Sequence, residues 1–272
     1  QKTLYISDAY IQNAGSDGTD GITAFTAASS AGAGGFVVGQ HTGFNKQNDD
    51  FVAWNWKANG GTNSTNNNGS IQSTVQVNTT AGFSIVTYTG NATAGATVGH
   101  GLGAVPQWYF VKSISLATGW VVYHKDQNAS PQNGYTLLNL PDDFFDTVVW
   151  NDTAPTSSVF SLGGSGYSSN NASATYVAYC FVGVEGYSKF GKYTGNGSTD
   201  GTFIYLGFRP ALIIYKRIGA SGNWLMDDNK TQTFNPDSNY LIADGTDQEG
   251  DTTTNTAGHV FDMYSNGFKM RN

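Results

Sequence analysis

The stretch Phe83-Ser-Ile-Val-Thr-Tyr-Thr-Gly-Asn91 has an echo further along the chain, Tyr187-Ser-Lys-Phe-Gly-Lys-Tyr-Thr-Gly-Asn196. Tyr88-Thr-Gly-Asn91 and Tyr193-Thr-Gly-Asn196 are identical at an offset of 193 − 88 = 105. The echo continues. Gly103-Ala-Val-Pro106 matches Gly207-Phe-Arg-Pro210, Lys112 matches Lys216, and Gly119-Trp120 parallels Asn223-Trp224. The differences 210 − 106, 216 − 112 and 224 − 120 all equal 104. Later, Val159-Phe-Ser-Leu162 falls on Val260-Phe-Asp-Met263, and Gly166-Tyr167 on Gly267-Phe268. Self-similarity at a fixed period sets the unit in which the fold is read.

A partial third copy precedes these two. Phe36-Val-Val-Gly39 with Gly43-Phe44 resembles Phe160 to Tyr167, and Phe51-Val-Ala-Trp-Asn-Trp56 aligns with Tyr176-Val-Ala-Tyr-Cys-Phe181. The chain therefore divides into the closing half of a preceding copy (1–57), a Gly/Asn/Ser/Thr linker (58–80), a first repeat (81–184) and a second (185–272). The second repeat has no counterpart of Tyr176–Phe181. The expectation is an open apolar slot there, filled by further chain or by a strand from a neighbouring subunit. The start at Gln1 rather than Met fits a processed chain or a fragment.

Inside the first repeat, strand signals bounded by Gly, Asn, Asp or Pro recur at Ser84–Thr89, Gln107–Ile114, Trp120–His124, Tyr135–Leu140, Thr147–Trp150, Ser158–Leu162 and Thr175–Val182, with a weaker one near Thr97. That density is the pattern of a β-sandwich. Trp108-Tyr-Phe-Val111 and Tyr176–Val182 are almost unbroken apolar runs, which calls for burial on both faces of their sheet by a neighbouring copy or subunit. The fold class is all-β: tandem antiparallel β-sandwich repeats, jelly-roll or lectin-like, of about 104 residues.

Composition agrees. The 272 residues include 35 Gly, 25 Asn and 30 Thr, and only 12% are charged. These residues favour strands and turns over helices. With 13 Lys and Arg against 20 acids, the net charge is −7. No basic run exists, so a nucleic-acid interface built on phosphate neutralisation is excluded, and no apolar run is long enough to cross a membrane as a helix. Cys180 is the single cysteine; it reads as a buried thiol.

Several strings carry a family resemblance: Val98-Gly-His-Gly-Leu-Gly103 with Pro106, Pro155-Thr-Ser-Ser-Val-Phe-Ser-Leu162, Tyr176–Phe181, Val184-Glu-Gly-Tyr-Ser-Lys-Phe-Gly191, Gly207-Phe-Arg-Pro-Ala211 and Ala53-Trp-Asn-Trp-Lys-Ala58. In this order they resemble a repeat domain of marine bacteriophages, cyanophage-like ones included, found in tail fibres and other virion structural proteins. The resemblance implies a virion-surface, extracellular protein without catalytic residues. Its partners would be other virion proteins, copies of itself (a trimer is the favoured homo-oligomer) and a host surface glycan. Two alternatives are a capsid-surface decoration protein and a polysaccharide-depolymerising tailspike.

Candidate sites are few. A glycosidase needs two carboxylates facing one bond, but Asp142-Asp143 and Asp227-Asp228 are adjacent and would point to opposite sheet faces. The four histidines (His41, His100, His124 and His259) form no zinc spacing. The loop holding Asp244, Asp247, Glu249 and Asp251 offers hard oxygen ligands, for which calcium is the matching ion; no other cofactor is implied. Phe144 and Phe145 among Asp142, Asp143 and Asp146, with Trp150 beyond, form an apolar and acidic cluster without a second-copy equivalent. It is the candidate contact for a receptor or neighbouring subunit, or else an inward-folded edge. Gly90 and Gly195 are expected in turns at positive φ, with Asn91 and Asn196 bonding backbone beside them.

Overall fold

The computed structural model describes residues 22–26, 35–39, 45–58, 62–245, 249–251 and 260–271. An N-terminal antiparallel pair, β1 (Ile22–Thr26) and β2 (Gly35–Val38), comes first. The strands that follow are β3 (Ser64–Asn66), β4 (Ser73–Asn78), β5 (Phe83–Thr89), β6 (Thr97–Gly99), β7 (Trp108–Ser113), β8 (Val121–His124), β9 (Gly134–Leu137), β10 (Phe145–Asp146), β11 (Val159–Ser161) and β12 (Thr175–Phe181). Eight of these form one antiparallel sheet in the order β10-β9-β8-β7-β12-β5-β4-β3, and β6 pairs with β11 alongside it.

Period-two alternation explains the apolar runs. On β12, Tyr176, Ala178 and Cys180 face inward with Val86 and Tyr88 of β5 and Tyr109 and Val111 of β7. They pack on Val98, Phe160, Leu162 and Trp150. The opposite face of the same strands presents Phe83, Trp108, Phe110, Tyr179 and Phe181, which pack with Trp120, Val122 and Leu138 into a second layer. Trp224, Ile214, Phe190 and Ala243 from the following copy join that layer. The first sheet is thus covered on both sides, as its sequence requires.

The second copy contributes β13 (Phe203–Tyr205), β14 (Leu212–Lys216), β15 (Trp224–Asp228), β16 (Asn239–Ile242), β17 (Gly250–Asp251), β18 (Phe261–Tyr264) and β19 (Gly267–Met270). They form the sheets β14-β15-β16-β17 and β13-β19-β18 around Ile213, Phe261, Met263 and Phe268. Among the described residues the protein is all-β, with antiparallel sheets consistent with a β-sandwich fold.

The sequence offset reappears as register. Trp108 pairs with His124 and Leu212 with Asp228; Phe145 pairs with Tyr135 and Gly250 with Tyr240. Lys125 N–H donates to Gln107 O, as Asn229 N–H does to Ala211 O. The Lys112 ammonium donates to Thr118 O, as Lys216 does to Gly222 O. Trp120 N–H donates to Asn139 Oδ1, as Trp224 N–H does to Asp244 Oδ1. Each matched lysine therefore ties down its own β-hairpin loop, and each matched tryptophan is held by a side-chain acceptor 19 or 20 residues on.

Two expectations need correction, and two further differences separate the copies. Residues 58–80 are not simply a linker, since β3 and β4 lie within them and β4 pairs along β5 from Ser73↔Tyr88 to Asn78↔Phe83. Ser73-Thr-Val-Gln-Val-Asn78 alternates, burying Ser73 and Val75, but its small polar residues disguise the strand. Thr147–Trp150 is not a strand; Val148–Trp150 is a 3-10 turn ending on left-handed Asn151 (φ 53°), which lets consecutive Val149 and Trp150 both reach the core. The segment 189–194, matching most of β5, carries no strand. Finally, β6 pairs directly with β11, whereas β19 lies between β13 and β18. Ser265-Asn266 closes a tight hairpin after Tyr264, while Gly163-Gly-Ser-Gly166 after Leu162 does not. Strand β14 is an edge; among the described residues no strand occupies the position β12 takes beside β7.

Candidate functional sites

The Pro141–Asp146 loop meets the second copy. Pro141 O accepts from Gly222 N–H (2.7 Å) and from the Lys216 ammonium (3.0 Å), and Asp143 Oδ1 accepts from Gly219 N–H (3.1 Å). Asp142 and Asp143 also face Lys216 electrostatically, which offsets part of the burial that lowers its pKa. Phe145 stacks on Tyr135 at 5.3 Å, and the Phe144 ring lies over Gly134. Trp150 is wholly buried against Tyr109. The cluster sought as a receptor contact is therefore dispersed: Trp150 belongs to the core, the two phenylalanines cover the end of β9, and the aspartates face the β14–β15 loop. Packing of this kind is invisible from composition, because the hydrogen-bond partners of Pro141 and Asp143 lie 75 or more residues away.

The repeated turns behave as expected at asparagine and differently at glycine. Asn91 Oδ1 accepts from Thr93 N–H (2.9 Å), and Asn196 Oδ1 from Ser198 N–H (3.1 Å). Positive φ falls two residues beyond each glycine, at Ala92 (61°) and Gly197 (68°). Gly90 is required by crowding, since a Cβ there would lie 2.4 Å from Asn171 O. Gly195 has open space around it.

An acidic cluster not anticipated from sequence lies inside the second copy. Asp227 occupies the place of Tyr123 in the first: Tyr123 pairs with Tyr109, Asp227 with Ile213. Where Tyr123 stacks on Tyr109, Asp227 is almost fully buried, with Asp237 and Tyr215 as neighbours. Burial foremost, then the Asp237 and Asp228 charges, push the Asp227 carboxyl up to about 8, and the Tyr215 hydroxyl only partly offsets this. Asp237, which accepts from Asn239 N–H, is pushed up to about 6, again chiefly by burial. Near neutral pH the Asp227 carboxyl is therefore held largely in its protonated, neutral form. Only its departure from Tyr123 at a matched position signals it in the sequence.

Of the calcium candidates, Asp247 and the Asp251 side chain lie outside the described residues. Asp244 spends one oxygen on Trp224 N–H. Among the described residues no group of three or more His, Cys, Asp or Glu side chains is placed to hold a metal. His124 is pushed down to about 4 by burial and accepts from Asp126 N–H at Nδ1; buried His100 likewise accepts from Leu102 N–H. Both are structural acceptors. Burial raises the Cys180 thiol pKa, leaving it unreactive.

With this geometry in hand, comparison with known proteins gives one result. A family model described as a domain of unknown function, DUF7483, matches residues 1–272. The chain belongs to that family. No curated protein and no solved structure matches it. Among the described residues of the DUF7483 chain, side chains that stand out from plain packing include the Asp227–Asp237 pair and a group of exposed rings on the outer sheet, Phe203, Tyr205 and Tyr264. Sequence reading missed the rings too, although the alternation of Phe203-Ile-Tyr205 marks them.

Proposed function

We propose that this chain is a structural module of an exposed bacteriophage virion appendage of the tail-fibre type, with adhesion to a host surface glycan as its contact function. The observation that carries the reading is the shared layer between copies. Trp224 enters the outer face of the first sheet, and its Nε1–H donates to Leu137 O at 2.8 Å. Successive copies joined by an apolar layer make a stiff, extendable unit rather than beads on a flexible string. The low charge content and the phage-type strings support an exposed location on the virion surface. The chain works as a homo-oligomer, a trimer in a fibre, attached to other virion proteins.

Labelling is the direct test. Gold-conjugated antibody against the purified chain, imaged on intact virions by electron microscopy, is expected on tail appendages. Label spread over the capsid shell would favour the decoration reading, and no virion label would refute both. The depolymerase reading draws its support from Asp227 and Asp237, but both are almost fully buried. Release of reducing ends from host polysaccharide, abolished by Asp227→Asn, would establish it.

A further inference from the structure

The outer sheet of the second copy presents rings in a strip. Tyr205 pairs with Gly267, and Gly267 pairs with Tyr264, so the three residues form one cross-strand row. The neighbouring row on the same face is Phe203, Lys269 and Asp262. Directly opposed residues share a face, and the face beneath carries Ile204, Phe268 and Met263 into the core. Gly267 lacks the side chain that would block the middle of the strip. The Phe203 ring comes within 3.1 Å of where its Cβ would stand, and meets Tyr264 edge-on at 5.9 Å. Two strand spacings separate Tyr205 from Tyr264, roughly 10 Å. The rings stay in solvent: Tyr205 is 61% exposed, Phe203 44% and Tyr264 39%.

Two ion pairs flank the strip. Lys269 pairs with Asp200, and Arg271 with Asp262. The Tyr264 hydroxyl donates to Asp262 Oδ2 at 3.0 Å. Lys189 donates to Tyr205 O at 2.8 Å while its ammonium stands 5.4 Å from the Tyr205 ring centroid. A ligand therefore meets aromatic faces edged by two closed ion pairs and by the Lys189 ammonium, which is already held by a carbonyl and a ring face. The first copy has no such strip: the matching face of β6 and β11 carries Thr97, Gly99, Val159 and Ser161.

We infer that Tyr205, Phe203 and Tyr264 form a binding strip for a neutral glycan, whose pyranose C–H faces stack on the rings while its hydroxyls meet the flanking carboxylates and amines. Apolar faces edged with hydroxyls are the chemistry this surface complements, and the internal ion pairs disfavour a ligand held by its charge. The strip deepens the adhesion part of the appendage reading and rests on it.

The test is retention of the full chain on an array of neutral bacterial and algal polysaccharides, with uronic-acid and sulfated polysaccharides as the acidic arm. The expected result is retention on a neutral polysaccharide, unchanged by added NaCl. Tyr205→Ala and Tyr264→Ala should each weaken it about tenfold, the worth of one ring contact. Tyr205→Trp should keep it. Unfolding midpoints of the variants establish that they are folded, and the exposure of Tyr205 predicts no change for its truncation. Retention nowhere on the array, retention only on acidic polysaccharides that salt abolishes, or retention unaltered in the folded double variant would each overturn the inference. Virion labelling without retention removes the strip and leaves the appendage; retention without virion labelling does the reverse.

Discussion

Replacing Asp227 with asparagine separates the charge of this side chain from its shape. In the folded protein the carboxyl is raised from 3.8 to about 8; in the unfolded chain it returns to the usual range. The folded form therefore holds a proton that the unfolded form has lost between about pH 4 and pH 8, and stability falls as pH rises through that window. At about 1.4 kcal/mol per pH unit, the loss is on the order of 5 kcal/mol across it. Asp237, pushed up to about 6 beside it, acts in the same direction. Asparagine keeps the planar polar group and removes the ionisation. The variant should match the natural protein near pH 4 and exceed it by several kcal/mol at pH 8, the gap opening across that window while the buried His124 and His100 act alike in both. Urea unfolding followed across this range, with hydrogen exchange at the β14–β16 amides to localise the effect, measures it. A variant that tracks the natural protein at every pH would refute the assignment of a buried protonated carboxyl.

Other consequences are independent of pH. Trp224→Ala removes both a buried ring from the inter-copy layer and the donor to Leu137 O; a loss of about 3–5 kcal/mol is expected, with limited proteolysis then cutting near Glu185. Asn139→Ala and Asp244→Ala each strip the acceptor from a matched tryptophan N–H, and each should cost about 1–3 kcal/mol in denaturant titration. Gly90→Ala should destabilise by about 1–3 kcal/mol or more, through contact with Asn171 O. Gly195→Ala, with open space around it, should stay within about 0.5 kcal/mol; equal effects of these two glycine substitutions would contradict the crowding argument.

The all-β class was legible because strand alternation is a local signal, and the 104-residue offset picks out positions that make the same bonds in the structure. Lys112 with Lys216 and Trp120 with Trp224 could be matched by eye, and each pair makes the same bond in the structure. The polar strand β4 was not legible, since Ser, Thr, Gln and Asn read as loop until a partner strand is known. The turn at Val148–Trp150 escaped because two adjacent buried residues look like any apolar run. Site residues were harder still. Phe144 and Phe145 look exposed in a list of neighbours along the chain, and only the fold brings Tyr135 and Gly134 beneath them. The value of the repeat for finding sites lies in its mismatches: Asp227 for Tyr123, and the Phe203 and Tyr205 rings where the same offset places Gly99 and Gly101.

The double burial of the first sheet bears on what counts as one unit of this protein. By sequence the period ends near Val184, and a fragment cut there would look like a complete sandwich. Such a fragment would expose Phe83, Trp108, Trp120 and Phe181 to water, surfaces that Trp224, Ile214 and Ala243 cover in the intact chain. The cooperative block that melts together is thus wider than the repeat that evolution copied. A cut at the period boundary would therefore strip the first sheet of one of its two covers, so residues beyond Val184 do part of the folding work of those before it.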